Sequence, residues 1–283
     1  MSDTIFNKIT VLKKELYSKL KQIMLESGWQ NISSRPSTDY DVMFSNGEDG
    51  KKEIYFQMRD IASTTAGSST TFSNTNSRFF SMRLSGRYLP GSSGVTGTFS
   101  KNSDTWKAVL ITAQSDILPN QPIELYYSCN KDRLIFLTDY SLSLSLPATL
   151  NYIGVPVTFA DEHEWSSCVF ASSSIGSGRR LYVTDIKNDY SVTAPITCLT
   201  YLGLSSKNKI GDNILMSNVI YGSASEGLKG TIPEVFSFGS TDGLVNGDLI
   251  KVADKVYRVF ETTPGTSTVY SSFVSKFISI RIQ

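Results

Sequence analysis

This sequence is poor in the residues that carry chemistry. It has one histidine, His163, and three cysteines, Cys129, Cys168 and Cys198. An odd number of widely spaced cysteines supplies neither a disulfide framework nor the close CxxC spacing of a metal site. They read as small buried hydrophobes in a reducing compartment. The histidine stands in Asp161-Glu162-His163-Glu164, the densest polar run. Neighbours in such a run point apart, and no second histidine exists four residues on to complete a metal site. The run therefore reads as a solvated acidic turn.

Nucleophilic catalysis fares no better. Cys168 follows His163 by five residues and serines abound, but no Gly-x-Ser-x-Gly elbow occurs. Gly176-Ser177-Gly178-Arg179-Arg180 lacks the third glycine of a dinucleotide fingerprint and the Gly-Lys-Ser/Thr of a P-loop. Glycoside cleavage needs only two acidic groups about 5 to 10 Å apart, and nothing in the spacing of 26 acidic residues selects a pair. The expectation is a protein that is not an enzyme, with no catalytic residue, no metal and no cofactor.

Neither charge is in excess. The 27 basic and 26 acidic residues leave a net +1, which gives no field to hold a polyanion or an anionic membrane. Nucleic acid is not expected as the main partner. No run approaches the roughly 20 apolar residues of a membrane span, and Met1-Ser2-Asp3-Thr4 lacks the basic-then-apolar layout of a signal peptide. A soluble product made in a cytoplasm, without a membrane partner, is expected.

What is present is a change of texture. Ile5, Ile9, Leu12, Leu16, Leu20, Ile23 and Met24 recur every three or four positions, which predicts one long amphipathic helix over 4–27. Asp3 or Thr4 would cap it, Gly28 would end it, and Glu15 with Lys19 would support it four residues apart. Beyond Trp29 the period drops to two. Ile54, Phe56 and Met58 share one face and Tyr55, Gln57 and Arg59 the other, so Asp41 to Phe44 and Glu53 to Arg59 read as a hairpin across Asn46-Gly47-Glu48-Asp49-Gly50. Ile123 to Tyr127 and Arg133 to Leu137 form a second, turning at Asn130-Lys131-Asp132. Arg133 to Leu137 is apolar on both faces, so it should sit centrally with the helix on one side. A third hairpin runs from Leu249 to Val252 and Val256 to Phe260 around Ala253-Asp254, before a closing strand from Phe273 to Ile282.

Between them lie Ser/Thr/Gly-rich stretches near 62–77, 90–104 and 166–180, expected as mobile loops. No repeat or composition break divides the chain. The expectation is a single structural domain over 1–283, of α+β class: a predominantly antiparallel β-sheet body over 39–283 with the helix packed on it. Tyr126, Tyr127, Tyr140, Tyr152, Tyr182 and Tyr190 crowd the middle third, and tyrosine suits both a sheet face and an interface. Arg179, Arg180 and Tyr182, just after the third loop, are the candidate interface residues.

Three stretches in order carry a resemblance. They are Ser27-Gly28-Trp29 with Asp39 to Phe44 and Glu53 to Arg59; Ile123 to Thr138; and Glu234 to Gly239 with Asp248 to Phe260. Together they resemble a family of tailed-bacteriophage tail-module proteins, virion structural proteins without transferable catalytic residues. The Asn130-Lys131-Asp132 turn departs from the glycine-containing turn of that pattern. The resemblance implies a subunit of the virion tail, assembled in the host bacterial cytoplasm. As a tail terminator it would form a homo-oligomeric ring, expected as a hexamer, at the tail-neck junction. Tail tube, sheath, neck or baseplate proteins would be its neighbours, and another neck, collar or baseplate adaptor is the alternative. A host-binding or wall-degrading tail component stands further off. In either assembly role, docking would order the loops at a cost in binding energy.

Overall fold

The structure, a computed structural model, describes residues 4–34, 40–60, 78–92, 95, 97–99, 107–110, 118–142, 147–159, 167–173, 179–185, 189–192, 197–199, 209–210, 213–214, 216–223, 227–238, 243–262 and 277–283. Strands dominate, and every pairing among the described residues is antiparallel.

A central sheet runs in the order Asn7–Leu12, Pro122–Asn130, Arg133–Asp139, Thr149–Gly154, Ser167–Ser172, Arg179–Asp185, Asp189–Val192. Alternation along Arg133–Asp139 explains why it is central. Leu134 and Phe136 enter one core with Leu16, Leu20, Ile23 and Met24 of the helix and Phe56, Met58, Met82 and Leu84. Ile135 and Leu137 enter a second core with Val219, Tyr221, Ile232, Ile278 and Ile280. A strand that is apolar on both faces must be covered on both, and here the covers are two further sheets.

The N-terminal sheet, with the helix, forms the first cover: Gln30–Asn31, Asp41–Ser45, Ile54–Asp60, Arg78–Ser85, Lys107–Leu110. The expected hairpin is there, with Asp41 opposite Met58 and Ser45 opposite Ile54. Ile54, Phe56 and Met58 face the first core, while Tyr55 joins Val42 and Tyr88 on the outer side. The C-terminal sheet forms the second cover: Thr197–Leu199, Ser217–Ser223, Gly227–Ser237, Phe277–Arg281, Lys255–Glu261, Leu249–Val252. Its third hairpin turns at Ala253-Asp254, with Val252 opposite Lys255.

The long helix is corrected. Among the described residues one α-helix occurs, the eleven residues Leu16–Glu26, preceded by a 3₁₀ turn Lys13–Glu15, and Asn7–Leu12 is a strand pairing with Pro122–Tyr127. Neither Asp3 nor Thr4 can cap a helix that begins twelve residues later. The strand gains a six-residue ladder, and it holds three consecutive β-branched residues, Ile9-Thr10-Val11, which suit a pleated surface. Glu15 and Lys19 do not pair: the Glu15 carboxylate accepts from the Leu12 amide, and Lys19 reaches Gln22. The far end follows expectation. Gly28 sits at φ +91, Trp29 N–H donates to Met24 C=O and Gly28 N–H to Leu25 C=O, which is the Schellman pattern.

The loop expected over 166–180 is corrected too, since Ser167–Ser172 is a strand of the central sheet. Its Val169 and Ala171 face one core and Cys168 and Phe170 the other, so four apolar residues between serines read as loop only by composition. Within 90–104, Thr98–Phe99 pairs with Tyr88–Leu89. The segment 62–77 and the run Asp161 to Glu164 lie outside the described residues. The closing strand spans Phe277–Arg281, and the expected stretch before it, 273–276, lies outside the described residues.

One strand serves two neighbours. Gly227–Ser237 pairs through Gly230 and Thr231 with Thr158 and Val157, and through Val235 to Ser237 with Ile280 to Ile278. Between these halves Pro233-Glu234 breaks the register against Ser217–Ser223. Proline has no N–H for a ladder, and Glu234 takes φ +68, so the strand turns a corner there.

Candidate interaction surface

The densest long-range polar contacts gather on the Asn130-Lys131-Asp132-Arg133 turn of the central hairpin. Trp29 Nε1 donates to Asn130 C=O at 2.7 Å, so the residue that closes the helix also pins the turn. Asn130 Oδ1 accepts from the Asp132 and Arg133 amides, which shapes the turn locally. From the N-terminal sheet, Ser45 Oγ donates to Lys131 C=O, and the Lys131 amide donates to Glu48 Oε1 at 2.9 Å. Lys52 Nζ and the Glu48 amide both reach Asp132 Oδ1, at 2.9 and 3.0 Å.

From the C-terminal sheet, Glu234 accepts from Arg133 Nη2 at 3.4 Å and from Ser128 Oγ at 3.3 Å. A glycine in this turn could supply none of the side-chain bonds. Gly154 lies alongside at φ +139, where a Cβ would sit 2.4 Å from Asp132 C=O, so the next strand approaches as closely as backbone allows. The clasp joins all three layers at one end of the molecule.

A second network lies between the central and C-terminal sheets. Lys8 forms an ion pair with Glu124, Arg258 Nη1 donates to Tyr126 Oη at 3.0 Å, and Arg258 lies 3.5 Å from the buried Asp139 carboxylate. Both cations also lie over the Tyr126 ring. The hydrogen bond to Glu124 raises the Lys8 ammonium above the ordinary lysine range. Among the described residues, two cations thus face two carboxylates around one tyrosine. A third carboxylate, Asp41, is fully used: it accepts from Tyr17, Lys21 and Asn31 and so fixes the helix to the N-terminal sheet.

Apolar side chains do reach the surface. Leu249 is 64 % exposed and Val252 48 %, on the last strand of the C-terminal sheet, with Val245 beside them at 63 %. Val157, Phe159 and Leu228 are exposed where Val157–Thr158 pairs with Gly227–Ser237. Leu249–Val252 is a short edge with Lys251 in the middle, which is how sheets commonly guard an edge.

The three residues read from sequence as an interface fall on one strand. Arg179, Arg180 and Tyr182 belong to Arg179–Asp185, opposite Phe170, Val169 and Ser167 respectively, one strand in from the edge of the central sheet. Their side chains lie outside the described residues. Sequence placed Glu48 and Asp132 in turns and Trp29 and Glu234 in the resembling stretches, but did not bring them together with Ser45, Lys52 and Arg133. The available signal was the Asn-Lys-Asp turn itself, polar where a glycine was expected.

Cys168 is buried in the first core and Cys129 packs against it, and burial pushes both thiols up to about 12. Among the described residues no three His, Cys, Asp or Glu side chains converge as a metal ion needs, and no helix is long and apolar enough to cross a membrane. No protein-family model matches this chain, and no curated protein matches it.

Proposed function

We propose that this chain is a structural subunit of a tailed-phage particle and that its role is assembly rather than chemistry. The observation that carries the proposal joins sequence to geometry. The three stretches that resemble tail-module proteins contribute to three different sheets, and all three meet at the clasp: Trp29 of the first stretch with Ser45 and Glu48 of the turn between its strands, Asn130 to Arg133 within the second, and Glu234 opening the third. A subunit that must hold one shape while neighbours load it gains from such cross-layer ties. The ion pairs of the described residues tie the helix and the three sheets to one another, which suits a load-holding frame.

Within the particle we favour a tail terminator, closing as a hexameric ring beneath the neck, over another neck, collar or baseplate adaptor. Ring closure would add multivalency, since each added subunit binds at raised effective concentration. The test is the mass of the purified chain by light scattering, alone and after addition of purified tail tubes, with negative-stain imaging. A ring, or density at a tube end, is expected. A monomer that ignores tubes but cleaves wall polymer or adsorbs to cells would overturn the proposal.

A further inference from the structure

The opening residues carry two incompatible patterns. As a strand, Asn7–Leu12 buries Val11, half-buries Ile9 and Leu12, and leaves Ile5 46 % exposed. As a helix, at about 100° per residue, Ile5, Ile9 and Leu12 would fall within about 40° of Leu16, in line with Leu20 and Ile23. The apolar stripe of Leu16–Glu26 thus continues unbroken through a segment that is not helical. Disagreement between local pattern and global fold is uncommon in natural sequences and gathers at functional elements.

The strand is also placed to leave. Among the described residues it is the first strand of the central sheet and pairs on one side, with Pro122–Tyr127. It meets the helix through the 3₁₀ turn Lys13–Glu15, a common connector at a helix end, which in a continuous helix over 4–26 would lie mid-helix. Beyond the ladder it is held by the buried Val11 and Phe6 side chains, one in each core, by Lys8 paired with Glu124 and lying over the Tyr126 ring, by the Phe6 amide to Arg281 C=O, and by the Lys13 and Lys14 amides to Gln121 and Pro119 C=O, so the second state must give up both buried side chains. We propose that residues 4–15 are a strand-to-helix switch: an edge strand in the state described, and in a second state an N-terminal extension of Leu16–Glu26 that uncovers the edge of Pro122–Asn130. This inference stands apart from the phage reading, because the switch belongs to the isolated chain.

Asn7 and Thr10 allow a clean test. Both are exposed in the strand, and in the extended helix both would fall on the face away from Leu16. Substituting them changes conformational preference and little else. The measurement is chemical-exchange saturation transfer on the backbone carbons of residues 5–14 in the full-length chain, which detects minor states exchanging in milliseconds.

The expected result is a minor state with helical carbon shifts. Its population should rise roughly tenfold in Asn7→Ala/Thr10→Ala, which favours helix, and fall in Asn7→Thr/Thr10→Val, which favours strand. Amides of Pro122–Asn130 that face the opening strand should exchange with solvent faster in the first variant by a similar factor. A minor state with random-coil shifts, or no minor state in the helix-favouring variant, would overturn the proposal. If the alanine pair does not fold, the same shifts in the single Thr10→Ala variant decide the question.

Discussion

Arg133 Nη2 and Glu234 Oε1 lie 3.4 Å apart across 101 residues of sequence, and Glu234 reaches that contact from a backbone at φ +68. The corner of the longest strand and the turn of the central hairpin are therefore fixed by one ion pair. Left-handed backbone costs a residue with a Cβ on the order of 1 kcal/mol, and the pair at this long distance returns a similar amount.

Two substitutions at Glu234 should consequently part company. Glu234→Gln keeps the strained backbone and leaves a half-buried guanidinium without its counter-charge, so a loss of about 1–2 kcal/mol is expected in denaturant unfolding. Glu234→Gly loses the pair but relaxes φ, so it should be milder by about 1 kcal/mol. Equal losses would show that the backbone is not strained.

Ala253 takes φ +54 at the first turn position of the third hairpin, where primed turns ask for glycine or asparagine. Ala253→Gly should raise stability by about 1 kcal/mol, read as a higher denaturant midpoint with an unchanged slope. A lower midpoint would count against the turn geometry.

Asn151 is completely buried in the central sheet, and neither its Oδ1 nor its Nδ2 has a hydrogen-bond partner among the described residues. A buried unpaired amide costs about 1–3 kcal/mol. Asn151→Val, which removes the amide with less added volume than leucine and suits a strand, should therefore raise the thermal midpoint by a few °C. A drop in the midpoint would mean that the amide is paired in solution.

The thiols of Cys129 and Cys168 give a pH dependence with a definite sign. Both are held at about 12 by burial, against 9.0 for an ordinary thiol. The folded state thus keeps them neutral where the unfolded chain would ionise. Their contribution to stability is full below about pH 9 and is lost as pH climbs from 9 towards 12. Burial pushes the Tyr55 hydroxyl to about 12 as well, which adds to the same alkaline loss. Denaturant midpoints should be flat from pH 7 to 9 and fall above it, and neither thiol should react with Ellman's reagent at pH 8 until the chain unfolds. Rapid labelling of both in the native protein would refute the burial.

Some of this architecture was legible in the residues and some was not. Period two marked Ile54 to Met58, the two-faced run Leu134 to Leu137 announced a covered strand, and Ala253-Asp254 between apolar runs marked a hairpin. Those signals are local. The opening strand was hidden because Ile5, Ile9 and Leu12 continue a helical stripe, and only the ladder to Pro122–Tyr127, more than a hundred residues away, decides against it. Ser167–Ser172 was hidden by its flanking serines. The clasp was out of reach for a plainer reason: with 27 cations and 26 acidic groups, nothing local says that Lys52 meets Asp132 or Arg133 meets Glu234.

Phe6 donates its amide to Arg281 C=O and buries its ring in the second core beside Ile278 and Ile280. During synthesis, then, Phe6 is made early and waits for a partner that leaves the ribosome 275 residues later. At about 5–20 residues per second that delay is on the order of 10 to 60 s. Until it ends, the second core lacks its closing strand and the apolar faces of Ile135, Leu137 and Tyr152 stand uncovered. The two strands thus depend on each other across nearly the whole described length, and loss of Phe277–Arg281 would unseat Phe6.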